Sequence, residues 1–274
     1  MTQELQFVLK GVEFSYSSTS EKILKGIDME IHAGEWVALL GSNGSGKSTL
    51  LKILSALLFP TQGLCFAYGV NTAEDKALKL RGRTAIVFQN PEDQIVAATV
   101  EEEVAFGPEN LGCPPDEIEK RVNEALEITG LVERRDWLVS SLSGGQKQRL
   151  ALAGALAMGP SAVLLDEAMS MLDPKSRRDF TEIITKEHKL GMTIVEVTHR
   201  LDEVRNADRV IVLSDGAVSL DTSAEVFFQK SENELAAMNF KKPPLDCLAE
   251  RLAARGIISR GLYPTARSLA EQLI

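Results

Sequence analysis

The run Leu40-Gly41-Ser42-Asn43-Gly44-Ser45-Gly46-Lys47-Ser48-Thr49 restricts this chain more than any other segment. It fits G-x-x-x-x-G-K-[ST], and its flanks supply the context that the pattern needs. Trp36-Val37-Ala38-Leu39-Leu40 reads as a buried strand, while Leu50, Leu51, Ile53, Leu54, Leu57 and Leu58 recur at helical spacing. Gly41, Gly44 and Gly46 let the backbone wrap until its N–H groups point inward at phosphate oxygens. The start of the following helix adds partial positive charge at the same spot. Lys47 is placed to reach the β- and γ-phosphates, and the Ser48 hydroxyl to take a position on Mg²⁺. The implied ligand is a nucleoside triphosphate.

Short apolar strands alternate with amphipathic helices along the rest of the chain, which indicates an α/β fold. Leu5–Leu9, Val12–Tyr16, Thr84–Phe88, Ser161–Asp166 and Thr193–Thr198 read as strands, and Arg209–Leu213 as a strand entering a hairpin at Asp215-Gly216. Pro114–Gly130, Gln146–Met158 and Lys175–Leu190 read as helices. Pro243-Pro244 marks a break, after which Leu245, Leu248 and Leu252 line one face of a short helix that Gly256 ends; Leu269 and Leu273 suggest a second. Residues 1–239 are therefore expected as one domain and 240–274 as a small helical appendage.

Composition bounds the function. No apolar run approaches the ~20 residues that span a bilayer. Met1-Thr2-Gln3-Glu4-Leu5 has neither a basic region nor an apolar core, so no secretory leader is expected. Cys65, Cys113 and Cys247 are scattered and odd in number, as reduced cytoplasmic thiols would be. A net charge of −9 argues against a non-specific nucleic-acid binder.

Two further segments carry chemistry. Leu164-Leu165-Asp166-Glu167 places a carboxylate pair at a strand's C-terminal end, where α/β sheets bind ligands. Asp166 is suited to Mg²⁺ and Glu167 to polarising an attacking water. Ser143, Gly144, Gly145 and Gln146 open a helix and form a second anion-binding N-terminus. Two phosphate-binding helix ends with one carboxylate pair make sense when the second end completes a site on another copy.

With Leu142-Ser143-Gly144-Gly145-Gln146 the sequence resembles the nucleotide-binding subunits of ABC transporters, over about residues 5–230. The resemblance implies a P-loop NTPase fold of the ABC ATPase type: a RecA-like core, an antiparallel β subdomain and an α-helical signature subdomain. It implies ATP and Mg²⁺ as ligands, with Ser48, Gln89 and Asp166 at the metal. Tyr16 matches the aromatic that stacks on adenine, and Ser170-Met171-Leu172-Asp173 the loop that crosses the dimer interface. His199 matches the histidine that contacts the γ-phosphate, and Gln89 the glutamine that touches Mg²⁺ and senses the membrane partner. Met169 and Arg200 depart from the usual threonine and aspartate.

Val87–Gln94, Val104–Asn110 and Gly144–Arg149 look more narrowly like the ATPases of energy-coupling factor transporters, which import vitamins and cobalt or nickel. The wording of Gln89-Asn90-Pro91 and Ser170–Pro174 is similar to the first of the two ATPases in such systems. The implied partners are a second, different ATPase, a transmembrane coupling subunit and a substrate-binding membrane subunit, met at the cytoplasmic face of the cell membrane. The appendage is then expected to hold the ATPase dimer together. Glu92, Asp93, Glu101, Glu102 and Glu103 are expected to mark the membrane partner's docking surface, Glu92 and Asp93 above all, since Glu101–Glu103 also suit the first turn of a helix. The alternatives are the ATPase of another ABC transporter type, a soluble ATP-driven clamp on nucleic acid or ribosomes, and a switch that never hydrolyses; Glu167 argues against the last.

Overall fold

Leu5–Phe14 forms one strand, β1, where the spacing suggests two. A bulge joins the halves: pairing shifts between Leu9 and Val12, Gly11 turns with φ of +56°, and its N–H donates to Asp28 Oδ1. Tyr16 therefore lies beyond the strand's end. In this computed structural model, residues 4–17, 21–74, 80, 82–259 and 266–272 are described. The elements that follow are β2 (Leu24–His32), β3 (Trp36–Gly41), α1 (Lys47–Leu54), β4 (Gln62–Ala67), β5 (Val70–Asn71) and β6 (Thr84–Val87). Then come α2 (Val100–Asn110), α3 (Pro115–Thr129), α4 (Gly144–Ala157), β7 (Ala162–Asp166), α5 (Pro174–Lys189) and β8 (Thr193–Val197). Last are β9 (Arg209–Ser214), β10 (Ala217–Ser223), α6 (Ala224–Gln229), α7 (Glu232–Ala237), α8 (Pro244–Ala254) and α9 (Ala266–Ala270).

One sheet runs β10-β9-β3-β8-β7-β6, parallel apart from the β9–β10 hairpin. β3, β7 and β8 are buried at every position, as strands covered on both faces must be, and this is why they read as near-continuous apolar runs. The other sheet is antiparallel, in the order β2-β1-β4-β5. Its inward side chains Phe7, Leu9, Ile27 and Ile31 share a core with Val37, Leu39, Leu50 and Leu51. On the opposite face of the parallel sheet, Trp36, Leu40, Phe180, Ile184 and Phe227 form a second core. α2, α3 and α4 close a third around Val104, Leu126 and Leu150. The α/β architecture, with antiparallel and helical subdomains, is the one expected.

Two helix limits differ from the spacing. α1 stops at Leu54, leaving Leu57 exposed past its end. α4 begins at Gly144, two residues before Gln146, because Ser143 caps it: Gln146 N–H faces Ser143 Oγ, and the Ser143 N–H donates back to Gln146 Oε1 at 2.9 Å. Beyond Pro243, the stripe of α8 is split. Leu245 and Leu252 pack against a small cluster of Ala249, Ile258 and Leu269, whereas Leu248 stays 49% exposed. Leu273 lies outside the described residues. A buried Arg205–Asp246 ion pair fastens α8 to the turn Val204–Asn206, and the buried Lys242 Nζ donates to the Lys230 carbonyl at 2.8 Å.

Candidate nucleotide site

Strand β3 delivers the glycine loop to the sheet's C-terminal edge, between β9 and β8. Gly41 leaves it with φ of +148°, and a β-carbon there would meet the Leu213 carbonyl oxygen at 2.3 Å. Lys47 folds back over the loop, with Nζ donating to the Gly41 and Ser42 carbonyls at 2.9 Å each. Burial pushes its pKa down, and the nearby Glu167 and Asp166 charges oppose that shift. Thr49, one turn into the region, stands 3.3 Å from the Tyr16 hydroxyl; the Tyr16 ring is 62% exposed and edge-on to Phe14. An exposed ring beside the phosphate loop is free to stack on a base.

Strand β7 brings the carboxylates. The Ser48 hydroxyl donates to Asp166 Oδ1 at 2.8 Å. Burial raises the Asp166 pKa most, the Ser48 bond opposes it, and Glu167 adds to it. A buried carboxylate whose charge is disfavoured, next to a hydroxyl, is a hard-oxygen donor set suited to Mg²⁺, which keeps phosphate and water oxygens as its other ligands. The residues fit the ion. Glu167 is held left-handed at φ of +51°, an uncommon conformation for a residue with a β-carbon, while its N–H donates to the Val197 carbonyl at 3.1 Å. Its Oε1 is 2.6 Å from His199 Nε2. Gln89, just past β6, donates from Nε2 to Ser170 Oγ at 3.2 Å.

Lys47, Ser48, Asp166, Glu167 and His199 thus line one edge, and Gln89 reaches Ser170 in the segment that ends at Asp173. Asp173 caps α5, accepting from the Lys175 and Ser176 N–H groups at 2.9 and 3.1 Å. Residues 142–146 stand apart: among the described residues, no hydrogen bond or ion pair joins them to 41–49. A β-carbon on Gly144 would meet nothing within 4 Å, so the α4 N-terminus opens outward. Both departures are absorbed locally. Met169 is buried, with Thr181 Oγ1 3.3 Å from its sulfur, and Arg200 is turned onto Asp202 at 2.8 Å and Glu203 at 3.3 Å. Arg200 therefore does not lay an unopposed charge beside His199. His188 stacks edge-on to Trp36.

The acidic block after Gln89 is less uniform than its sequence suggests. Glu101 pairs with Arg135 at 2.5 Å, Glu102 caps Thr99, and Glu103 accepts from the Val96 and Ala97 N–H groups. These three hold the start of α2. Glu92 pairs with Lys147 of α4 at 2.5 Å, and Gln148 Nε2 donates to the Phe88 carbonyl at 2.9 Å. Glu92 and Lys147 share the rim of a cavity of about 370 Å³, floored by Ile95, Ala97, Ala98, Leu138 and Val139. The partnership of Lys147 with Glu92 had no signature in the sequence.

The model of the ABC transporter family matches residues 24–170. The chain belongs to the ABC transporter family. Its relatives place it in the energy-coupling factor branch. It is 46% identical to the energy-coupling factor transporter ATP-binding protein EcfA1 of Symbiobacterium thermophilum, across 97% of this chain and 96% of that protein. It is 40% identical to the cobalt import ATP-binding protein CbiO of Syntrophus aciditrophicus, across 92% and 90%. The structure of cbiO1 from Clostridium perfringens, part of the ABC transporter complex cbiONQ, superimposes with a TM-score of 0.77 at 35% identity, covering 90% of this chain and all of that one. A bacterial ABC transporter cassette solved as a dimer gives 0.71 at 31% identity, over 80% and 98%. An ABC ATPase of this branch binds ATP and couples its hydrolysis to transport. No helix among the described residues is long and apolar enough to cross a membrane.

Proposed function

We propose that this chain is the first ATPase of a heterodimeric importer of a vitamin or a transition-metal ion, working at the cytoplasmic face of the membrane. Two ATPs lie at a head-to-tail interface. Each is held by one subunit's glycine loop and closed by the other's Ser143–Gln146 segment. The outward-opening α4 N-terminus, separate from its own glycine loop, supports that arrangement. Ser48, Asp166 and Gln89 would hold Mg²⁺, which would supply charge neutralisation of the phosphates. Tyr16 stacks on adenine and Lys47 exchanges its loop carbonyls for phosphate oxygens. Glu167 orients and polarises the water that attacks the γ-phosphorus in line, and His199 fixes Glu167 and contacts the γ-phosphate.

The observation that carries this reading is the 2.6 Å contact between Glu167 and His199, at the end of a strand whose preceding residue already holds Ser48. Glu167→Gln should keep ATP binding, remove most hydrolysis and trap an ATP-bound dimer when assembled with the second ATPase. Turnover near the wild-type rate in that assembly would exclude Glu167 as the catalytic carboxylate. Residual partial activity would report the partner's own site.

The cavity rimmed by Glu92 and Lys147 receives a helix of the transmembrane subunit. Its apolar floor suits a helix face, and its charged rim fixes register more than it adds affinity. Residues 240–274 act as a contact between the two ATPases when their nucleotide sites are open, with the exposed Leu248 outermost. Their removal should loosen the nucleotide-free dimer more than the ATP-bound one in analytical ultracentrifugation; equal association without nucleotide would refute the assignment.

A further inference from the structure

Strand β8 reads Thr193-Ile194-Val195-Glu196-Val197, and its carboxylate is 1% exposed in the middle of the parallel sheet. Glu196 Oε2 accepts from Trp36 Nε1 at 3.1 Å, while Oε1 is buried with no hydrogen-bond partner. An ionised carboxylate in that position would leave a charge without compensation, which proteins avoid by keeping the proton. Behind Glu167 and His199 lies an enclosed cavity of about 40 Å³, lined by Glu196, Thr198, Arg200, Glu203, Met169 and Ser170 among others. That is room for a water, which needs roughly 10–15 Å³ and at least two polar partners. Glu203 Oε1 is the second such atom: it has no aligned hydrogen bond, though the Arg177 and Arg200 guanidiniums lie 3.2 and 3.3 Å away. Glu203 Oε2 accepts from Thr198 Oγ1, and Thr198 precedes the histidine that holds Glu167.

We propose that Glu196 is a positioning residue that stays protonated and donates its Oε1 hydrogen, through a water in this cavity, to the Glu203 carboxylate. The bridge holds Glu203 on Thr198 and so sets the angle at which His199 meets Glu167. This role rests on the catalytic reading of Glu167 and His199 given above. The groups facing the bridge are Trp36 from β3, Glu167 from the end of β7, Arg177 from α5, and His199, Arg200, Asp202 and Glu203 from the segment after β8. Behind Trp36 stand His188 and Asp208, the latter accepting from the Trp36 N–H at 2.9 Å. Burial raises the Glu203 pKa too, but the Thr198 bond and the Arg177 and Arg200 guanidiniums oppose that shift, whereas Glu196 has only the Trp36 bond, so Glu196 is the member that carries the proton. Burial first, and the Glu203 charge second, push the Glu196 pKa up to about 8. Above that pH the Oε1 proton passes through the cavity water to solvent. Two like charges then face each other, and the hold on Thr198 fails.

The first test is infrared spectroscopy on the full nucleotide-free chain. At pH 7 the wild-type minus Glu196→Gln difference should contain a protonated-carboxyl band, which should vanish by pH 10. No band at pH 7 overturns the proposal, whatever the fate of the hydrolysis assignment. The second is a melting series. A buried acid whose folded pKa exceeds its unfolded one, near 4.5, gives stability present below that value and lost as pH rises to about 8. The Tm of Glu196→Gln should therefore gain on wild type across that window and run parallel above it; parallel curves throughout overturn it. The third is ATP hydrolysis by the assembled transporter. Wild-type turnover should fall roughly tenfold from pH 7 to pH 9, the loss of one proton from such a group, while Glu196→Gln, which still donates, stays level. An alkaline limb retained in the variant overturns the positioning role.

Discussion

Gly41 and Gly44 both turn with positive φ, at +148° and +80°, yet they differ in what surrounds them. A β-carbon at Gly41 would press on the Leu213 carbonyl of β9, a backbone atom that cannot move aside, whereas at Gly44 it would find nothing within 4 Å. Gly41→Ala combines backbone strain with a clash and should cost several kcal/mol, about 3 or more. Gly44→Ala bears the left-handed conformation alone, about 1–2 kcal/mol. Thermal melts of the two variants should separate clearly, with Gly41→Ala also losing ATP binding; equal melts would contradict the packing argument. At this scale the glycine loop was readable because each residue type follows from local geometry. Glu196 was not singled out: a charged residue inside an apolar strand is a signal, but the cavity it faces is made by residues far along the chain.

Helix α4 carries its function at one end. The Ser143–Gln146 capping box fixes the first turn, so Ser143→Ala alone should lower stability by about 1 kcal/mol. Ser143→Arg places a long side chain over the open helix end. Assembled with the second ATPase, that variant should hydrolyse ATP at least about tenfold more slowly, while the isolated chain binds ATP as before, since its own glycine loop is untouched. A large loss of affinity in the isolated chain would mean that the segment binds nucleotide in cis. Gly145→Asp is a poorer probe, because a β-carbon there would come within 2.4 Å of Ser176 Oγ and disturb the cap of α5. Elements with strong periodicity, α3 and α5 among them, were legible within a residue or two. β1 was not: a bulge breaks the alternation on which strand reading depends, although the pairing with β2 continues across it. The acids of α2 already have partners within the chain, and a helix's first turn selects carboxylates whether or not a partner docks there.

Across the whole molecule, the cavity beside Glu92 and Lys147 is where a membrane subunit would meet the ATPase. Reversing Glu92 and Asp93 to Lys breaks the pair with Lys147 and places like charges across the rim. Uptake and co-purification with the transmembrane subunit should be lost, while ATP binding by the isolated chain is retained. Normal assembly and transport by that variant would remove the docking assignment. The family and the ATP site follow from motifs within single segments. The partner surface does not, because it is assembled from α4, the turn after β6 and the segment before Ser143, and its charge state depends on which acids already have partners. That same junction has a mechanical consequence. Glu92 and the Phe88 carbonyl are both gripped by the first turns of α4, so the rim of the cavity is tied directly to the open end of that helix. In the dimer proposed above, that end serves the neighbour's nucleotide, not this chain's own. In that arrangement a push from the membrane on one subunit would be felt first by the ATP bound to the other, the two engines being wired crosswise.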